Sequence, residues 1–289
     1  MGEPILKAVA EKGYTKPSPI QGQCIPAVLA GHDVMAAAQT GTGKTAGFTL
    51  PMLERLRHGP PARAGIVRAL VLTPTRELAA QVAENVKAYG QYLDLRSDVV
   101  FGGVKINPQI TRLQRGTDIL VATPGRLMDL HQQKALRLDR VEILVLDEAD
   151  RMLDMGFLED IMRIVARLPK ERQTLMFSAT MPDRIRQLAN SILKDPAQVS
   201  IAVSRPADKI EQMALQVMDD RKLEVLLALL GEFPFRSALI FCSSKDKVKQ
   251  LHQTLRKSGV VNEAFHSDLE QQVREEIMRG FKAGRLPVL

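Results

Sequence analysis

Val34-Met-Ala-Ala-Ala-Gln-Thr-Gly-Thr-Gly-Lys-Thr45 reads as a short apolar strand that runs into a glycine-rich turn and then opens a helix. Within Ala38-Gln-Thr-Gly-Thr-Gly-Lys-Thr45 the glycines let the backbone wrap an anion. Successive N–H groups point inward at the start of a helix, where the dipole also favours negative charge. Lys44 is placed to reach the β- and γ-phosphates of a nucleotide, and the Thr45 hydroxyl can ligate Mg2+. The stretch departs from the strict G-x-x-x-x-G-K-[ST] pattern by placing Ala38 first. Read alone, it also suits a Gly/Thr turn that caps a helix.

A second stretch, Ile143-Leu-Val-Leu-Asp-Glu-Ala-Asp150, is an apolar run ending in adjacent carboxylates. A buried strand of this kind delivers Asp147 and Glu148 to a sheet edge. There Asp147 can hold Mg2+ through water, and Glu148 can orient and deprotonate an attacking water. Further short apolar runs fall at 69–72, 98–101, 119–122, 174–177 and 198–202, with amphipathic segments between them such as 77–89 and 182–193. Apolar strands without alternation, separated by helices, predict an α/β fold with a parallel sheet covered on both faces. Such sheets bind ligands at the carboxyl ends of their strands.

A polar stretch at 203–208 precedes a second, smaller block. Strands are expected there near 213–217, 238–241 and 261–265, and helices near 222–230, 245–257 and 271–282. ALVLTPTRELAAQV at 69–82 and ALIFCSSKDKVKQL at 238–251 echo each other as strand, hydroxyl-rich turn and helix. The expected domains are residues 1–204 and 210–289, joined by a linker at 205–209. The second is expected to be incomplete, since it ends inside an apolar strand at 286–289.

The 289 residues admit one large domain or two ordinary ones, and 45% hydrophobic with 25% charged residues is an average soluble composition. No apolar run approaches the roughly 20 residues of a membrane span, and no charged-then-apolar leader opens the chain. Cys24 and Cys242 lie far apart in apolar stretches, so both are expected to be buried thiols of a reducing, cytoplasmic protein. Of the net charge of +7, residues 1–205 carry +6, with 27 basic against 21 acidic residues, and residues 206–289 carry +1, with 13 against 12. A basic excess suits an anionic partner such as nucleic acid. Aromatic content of 4% with no Trp argues against recognition by base stacking.

Asp147-Glu-Ala-Asp150 spells the box of the DEAD-box RNA helicases, and further stretches resemble that family's motifs in order. Gly13-Tyr14 with Pro17-Ser-Pro-Ile-Gln21 is similar to its Q motif. Pro74-Thr-Arg-Glu-Leu-Ala79, Gly102-Gly103 and Thr123-Pro-Gly-Arg126 resemble its RNA-contacting motifs, and Ser178-Ala-Thr180 the motif that couples hydrolysis to strand separation. Leu239 to Ser244, and His266-Ser-Asp-Leu-Glu-Gln271 with Arg274, resemble motifs of the second lobe. The stretches Met155-Gly-Phe157, Phe101-Gly-Gly103 and Ile106-Asn-Pro108 look most like the bacterial RhlE-type members.

This resemblance implies two tandem RecA-like lobes, ATP with Mg2+ as cofactors, and locally unwound RNA as the substrate. It implies a catalytic set of Lys44, Asp147, Glu148, Ser178 and Thr180, with Thr45 and Asp147 at the metal. The nucleotide would be held by Tyr14, Lys16, Gln21, Gln39, Thr40, Gly41, Thr42, Gly43, Lys44, Thr45 and Asp150. Gln21 would read the adenine edge, and Ser178 and Thr180 would bond Asp150. RNA would lie along Pro74, Thr75, Arg76, Gly102, Gly103, Thr123, Pro124, Gly125 and Arg126, with Gln271 and Arg274 in the second lobe. These residue types favour backbone contacts and little sequence preference. His266 is expected to make a structural hydrogen bond. The family's γ-phosphate arginines would lie past Leu289. Protein partners in ribosome assembly or RNA decay stay unidentified, and the chain is expected to be monomeric with no membrane partner. DNA as substrate, and a non-enzymatic ATP-gated RNA clamp, remain alternatives.

Overall fold

In the computed structural model, residues 1–39, 41–201 and 210–289 are described. Thr40 of the expected phosphate loop, Ala202 at the end of the expected strand 198–202, and the whole expected linker 205–209 lie outside them. The chain divides into two compact units, Met1–Arg205 and Pro206–Leu289.

Helices α1 (Glu3–Glu11) and α2 (Pro19–Leu29) open the first unit. Ser18 and Gln21 form a reciprocal capping box that starts α2, with Pro19 at its first position, where a missing N–H costs nothing. Strand β1 (Val34–Ala37) then leads to α3 (Lys44–Leu56), β2 (Val67–Leu72) to α4 (Arg76–Tyr89), and β3 (Ser97–Val100) to α5 (Asn107–Leu113). β4 (Thr117–Ala122) leads to α6 (Pro124–Gln132), and β5 (Ile143–Leu146) to α7 (Ala149–Asp154) and α8 (Leu158–Val165). β6 (Gln173–Ser178), α9 (Asp183–Ile192) and β7 (Ala197–Ser200) complete the unit.

The seven strands form one sheet in the order β3-β4-β2-β5-β6-β1-β7, and every pairing is parallel. The strands read as continuous apolar runs because both faces are covered. Ala69 and Val71 of β2 enter one core with α1 to α4, around Phe48, Met52 and Tyr89. Leu70 and Leu72 enter the other with α5 to α9, around Leu127, Ile161 and Leu188. All seven strands therefore end at one edge. The predicted strands of the first block fall within two residues of the observed ones at either end, the ordinary uncertainty of element ends.

The second unit contains α10 (Lys222–Glu232), α11 (Lys245–Lys257) and α12 (Gln271–Lys282). Its strand pattern is slighter than expected. Among the described residues the sheet reduces to parallel bridges, Ala238 and Asn262 each pairing with Val288. Residues 213–217 form no strand, since these mostly exposed residues have no neighbouring strand to satisfy their backbone. Cys24 is buried as expected, but Cys242 is only half-buried, because one side of the 238–242 segment is bare. Among the described residues no helix is long and apolar enough to cross a membrane.

Candidate nucleotide and nucleic-acid site

β1 ends at Ala37, and the backbone then turns through Gly41 (φ 86°) and Gly43 (φ 91°) before α3 begins at Lys44. Gly43 is required twice over. Its φ lies in the left-handed region, and a Cβ there would sit 2.5 Å from Gln21 Nε2. Thr42 Oγ1 donates to Gln39 O at 2.8 Å, which closes the turn on itself. Two side chains from the start of α2 brace it from outside. Ser18 Oγ donates to Thr42 O at 2.8 Å, and Gln21 Nε2 donates to Gly43 O at 3.2 Å.

Lys44 is 6% exposed, and its ammonium has no hydrogen-bond partner among the described residues. A buried, unpartnered ammonium is costly unless an anion completes it. At the mouth of a loop of inward N–H groups, a phosphate is the anion that fits. Thr45 follows on the first turn of α3, partly buried.

β5 delivers Asp147, 3% exposed, beside that loop. Burial pushes its carboxyl up to about 6, against the attraction of Lys44 and with help from the neighbouring charge of Glu148. Glu148 adopts φ 53°, ψ 53°, which is strained for a residue with a Cβ. Its carboxylate accepts from Arg151 Nη1 at 3.3 Å. One deeply buried carboxylate at a phosphate loop suits Mg2+, which takes few protein ligands and fills its octahedron with phosphate oxygens and water. No group of three or more acidic, His or Cys side chains suited to holding a metal unaided occurs among the described residues.

Asp150 is tied to the end of β6. Thr180 N and Thr180 Oγ1 both donate to Asp150 Oδ2 at 2.9 Å, and Asp150 N donates to Ser178 Oγ at 3.3 Å. Ser178 Oγ donates in turn to Thr180 O at 2.7 Å. Partial burial raises the Asp150 carboxyl, but the bonds from Thr180, Ser178 and the Arg151 amide together outweigh it and hold it below its ordinary 3.8.

Tyr14 is exposed, with its ring 6.4 Å from that of Tyr89. Lys16 and Gln39 are exposed near the same edge.

The other half of the edge gathers the loops after β3, β4 and β2. Thr75 caps α4 by accepting from Leu78 N at 3.2 Å, with Pro74 in the turn before it. Gly103 (φ 77°) lies directly against the Arg76 guanidinium, so any Cβ there would collide with it. Thr123 and Pro124 start α6, and Gly125 faces open space. Arg126 donates twice to Val104 O, at 3.2 Å from each nitrogen, and so holds the loop that contains Gly102 and Gly103. Gln271 and Arg274 lie on α12 of the second unit. There Gln271 Nε2 donates to Glu275 at 3.1 Å and Arg274 stacks 5.0 Å from the Phe265 ring centroid. The hydrogen bond expected of the His266 ring is not made at Nδ1, which is buried without a partner among the described residues.

Strand order thus sorts the sequence-predicted residues of the first unit into adjoining halves, β3-β4-β2 and β5-β6-β1. Sequence reasoning missed Ser18, whose hydroxyl braces Thr42, although its capping-box spacing to Gln21 was a readable signal. It also missed Arg151, three residues from Glu148 on the same helical turn.

A glycine loop between a parallel strand and a helix, with a buried carboxylate at the end of the next strand but one in the sheet, defines a phosphate-loop α/β protein. The DEAD/DEAH box helicase family matches residues 18–188, and the helicase conserved C-terminal domain matches 221–289. The chain belongs to the DEAD/DEAH box helicase family. The DEAD-box ATP-dependent RNA helicase CshA of Streptococcus pneumoniae is 42% identical over 286 residues, 99% of this chain and 54% of the relative. The ATP-dependent RNA helicase CshA of Listeria monocytogenes is 42% identical over 290 residues, 100% of this chain and 55% of the relative. The chain therefore spans about half the length of these curated relatives. The crystal structure of a DEAD box protein from Methanococcus jannaschii aligns with TM-score 0.65 and 36% identity, covering 100% of this chain and 77% of that one. A Saccharomyces cerevisiae Dbp5 variant bound to Gle1 and IP6 aligns with TM-score 0.75 and 32% identity, covering 100% and 72%.

Proposed function

We propose that this chain is the ATP-hydrolysing part of an RNA helicase, binding ATP with Mg2+ at the β5-β6-β1 edge and single-stranded RNA at the β3-β4-β2 edge. In the protein that contains both lobes, ATP binding tightens the hold on one RNA strand, a short duplex is opened locally, and hydrolysis resets the hold. The observation that carries this reading is the Lys44 ammonium, buried and unpartnered at the mouth of the glycine loop.

In this reading the backbone N–H groups of Gly41 to Lys44 and the Lys44 ammonium hold the phosphates, while Gln21 selects adenine. Thr45 and Asp147 hold Mg2+, which when bound offsets phosphate charge. Burial, chiefly, holds the Asp147 carboxyl up at about 6 despite Lys44, and a cation beside it would favour the ionised form. Glu148 orients the attacking water and takes its proton. Its pair with Arg151 engages Oε2 and leaves Oε1 for the water. Asp150, Ser178 and Thr180 connect the end of β5 to the end of β6, so displacement at the phosphates reaches the loop after β6 without an intermediate element. Thr75, Gly103, Thr123 and Gly125 offer small or hydroxylated surfaces for an RNA backbone, and Arg76 and Arg126 supply charge.

ATP hydrolysis measured with RNA, with DNA of the same sequence, and without either tests the reading on a chain long enough to turn over. Stimulation by RNA alone is expected, and Glu148→Gln should cut turnover by roughly 10²–10⁴ while leaving ATP binding intact. Equal stimulation by DNA would replace RNA as the substrate, and unchanged turnover in Glu148→Gln would remove the assigned base.

A further inference from the structure

At the amino-terminal end of the sheet, opposite the phosphate loop, residues 57–68, 133–142 and 166–172 carry nine Lys and Arg against three Asp and Glu, a net of +6. Residues 1–205 as a whole hold 27 against 21, also +6, so everything outside these three segments balances to zero. The loops at the opposite edge, where nucleotide and RNA are proposed to bind, carry a smaller excess. Lys16, Lys44, Arg76, Lys105, Arg126 and Arg151 stand there against Asp147, Glu148 and Asp150, a net of +3. The larger concentration of basic charge in the first unit therefore lies away from its proposed ligand site.

The three segments meet around one cleft of about 800 Å³, lined by Arg63, Arg137, Arg140 and Glu171 among others, with Pro60 and Pro169. Its rigid wall is a closed network. Arg68, 5% exposed, donates to Asp118 at 3.2 Å and to Glu142 at 2.8 Å. Arg137 is likewise neutralised by Asp139, and Glu171 by Lys194. Once these pairs are set aside, Arg63 and Arg140 remain on the cleft, exposed and in no ion pair among the described residues, although Arg140 adds to the attraction on Asp139. Lys134, Arg167 and Lys170 on the same three segments are also exposed without a carboxylate partner. The fixed wall consumes the acids and leaves the cations outward, the pattern of an anion-binding surface rather than of a self-satisfied one.

We propose that this cleft is a second RNA-backbone site, which holds the part of an RNA that extends beyond the β3-β4-β2 edge. The proposal rests on the reading of RNA as the substrate. Guanidinium forks match phosphate oxygens in pairs, and a surface without exposed aromatic rings in its lining reads charge rather than bases. RNA leaving the carboxyl edge travels only the length of a strand such as β2, roughly 20 Å, to reach the cleft. Binding there is intramolecular once the first contact is made, so two or three weak phosphate contacts suffice. An acidic protein segment is the competing occupant, and it lacks that local concentration.

Fluorescence-anisotropy titrations of this chain with a short single strand, and with the same strand joined to a long hairpin, test the proposal. Arg63→Gln with Arg140→Gln should leave the melting temperature, ADP binding and short-strand binding unchanged. Hairpin binding should weaken roughly tenfold at about 50 mM salt, with the salt slope lowered by about 1.8 for two lost phosphate contacts on the duplex stem. Neutralising Arg163 and Arg186 on α8 and α9 instead should leave hairpin binding intact. Equal hairpin binding by wild type and the cleft variant overturns the second site while leaving RNA as the substrate. An equal loss with the α8–α9 control, or competition by polyglutamate as strong as by RNA, also overturns it. If wild type binds neither RNA, the substrate reading falls, and this proposal falls with it.

Discussion

Gln21 shows how much one side chain can be asked to do. Its carbonyl oxygen accepts from Ser18 N at 2.9 Å and its amide nitrogen donates to Gly43 O at 3.2 Å, so the group proposed to read adenine also braces the phosphate loop. The two roles separate by mutation. Gln21→Ala should weaken ADP by about 1–3 kcal/mol, the range for a bidentate amide–adenine contact, and should abolish the preference for ADP over GDP. Ser18→Ala removes the brace on Thr42 and the hydroxyl of the α2 cap but leaves the Gln21 amide, so calorimetry should show ADP and GDP weakened equally. Asp150 makes a pH prediction. Its folded carboxyl lies below the ordinary 3.8, so its contribution to stability is present above that value and is lost as pH falls through the lower folded one. Wild type should therefore exceed Asp150→Asn in melting temperature at neutral pH, with the gap closing in acid; a constant gap would mean that the Thr180 contact is not charge-assisted. Much of this scale was legible in sequence, since Lys44, Asp147 and Glu148 follow from residue type and spacing. The left-handed backbone at Glu148 and its pair with Arg151 were not, because nothing local in Asp147-Glu-Ala-Asp150 demands a positive φ.

At the scale of elements, the echo between residues 69–82 and 238–251 becomes a shared capping device. Thr75 and Ser244 occupy the same offset, and each accepts from the backbone N–H three residues on, Leu78 at 3.2 Å and Lys247 at 3.3 Å. Each cap is worth about 1 kcal/mol to its helix. Thr75→Ala should speed hydrogen exchange in the first turn of α4 without affecting α11, and Ser244→Ala should do the reverse. Exchange that changed in both helices with either variant would show that the caps are not local. Strands and helices of the first unit were readable because apolar runs of 4–6 residues alternate with amphipathic segments throughout. Strand order was not readable, because it is set by which crossovers pack where. That order alone places the loop after β1 beside β6 rather than beside β2. The bond from Arg126 to Val104 O is of the same kind, joining loops after β4 and β3 that are 22 residues apart in sequence.

Across the whole molecule, stability is unevenly distributed. Both hydrophobic cores belong to the first unit, whereas among the described residues of the second only Leu255, Leu286 and Val288 are buried apolar side chains. Leu239 and Phe241 are 55% and 90% exposed on the segment that bridges to Val288. Few buried apolar contacts mean low local unfolding free energy. The second unit should therefore exchange its amides and yield to protease first, while α3 and the central strands stay protected; uniform protection would contradict this. The failed expectation of a strand at 213–217 belongs to this scale too, since an apolar pattern becomes a strand only where a neighbour completes it. The central claim is that the β5-β6-β1 edge is an adenine-nucleotide site completed by Lys44, and titration of ADP with Mg2+ into this chain tests it most directly. The account predicts saturable binding at one site, stronger than for GDP, that Lys44→Ala largely removes. Binding that is absent in the wild type, or unchanged in Lys44→Ala, would contradict it.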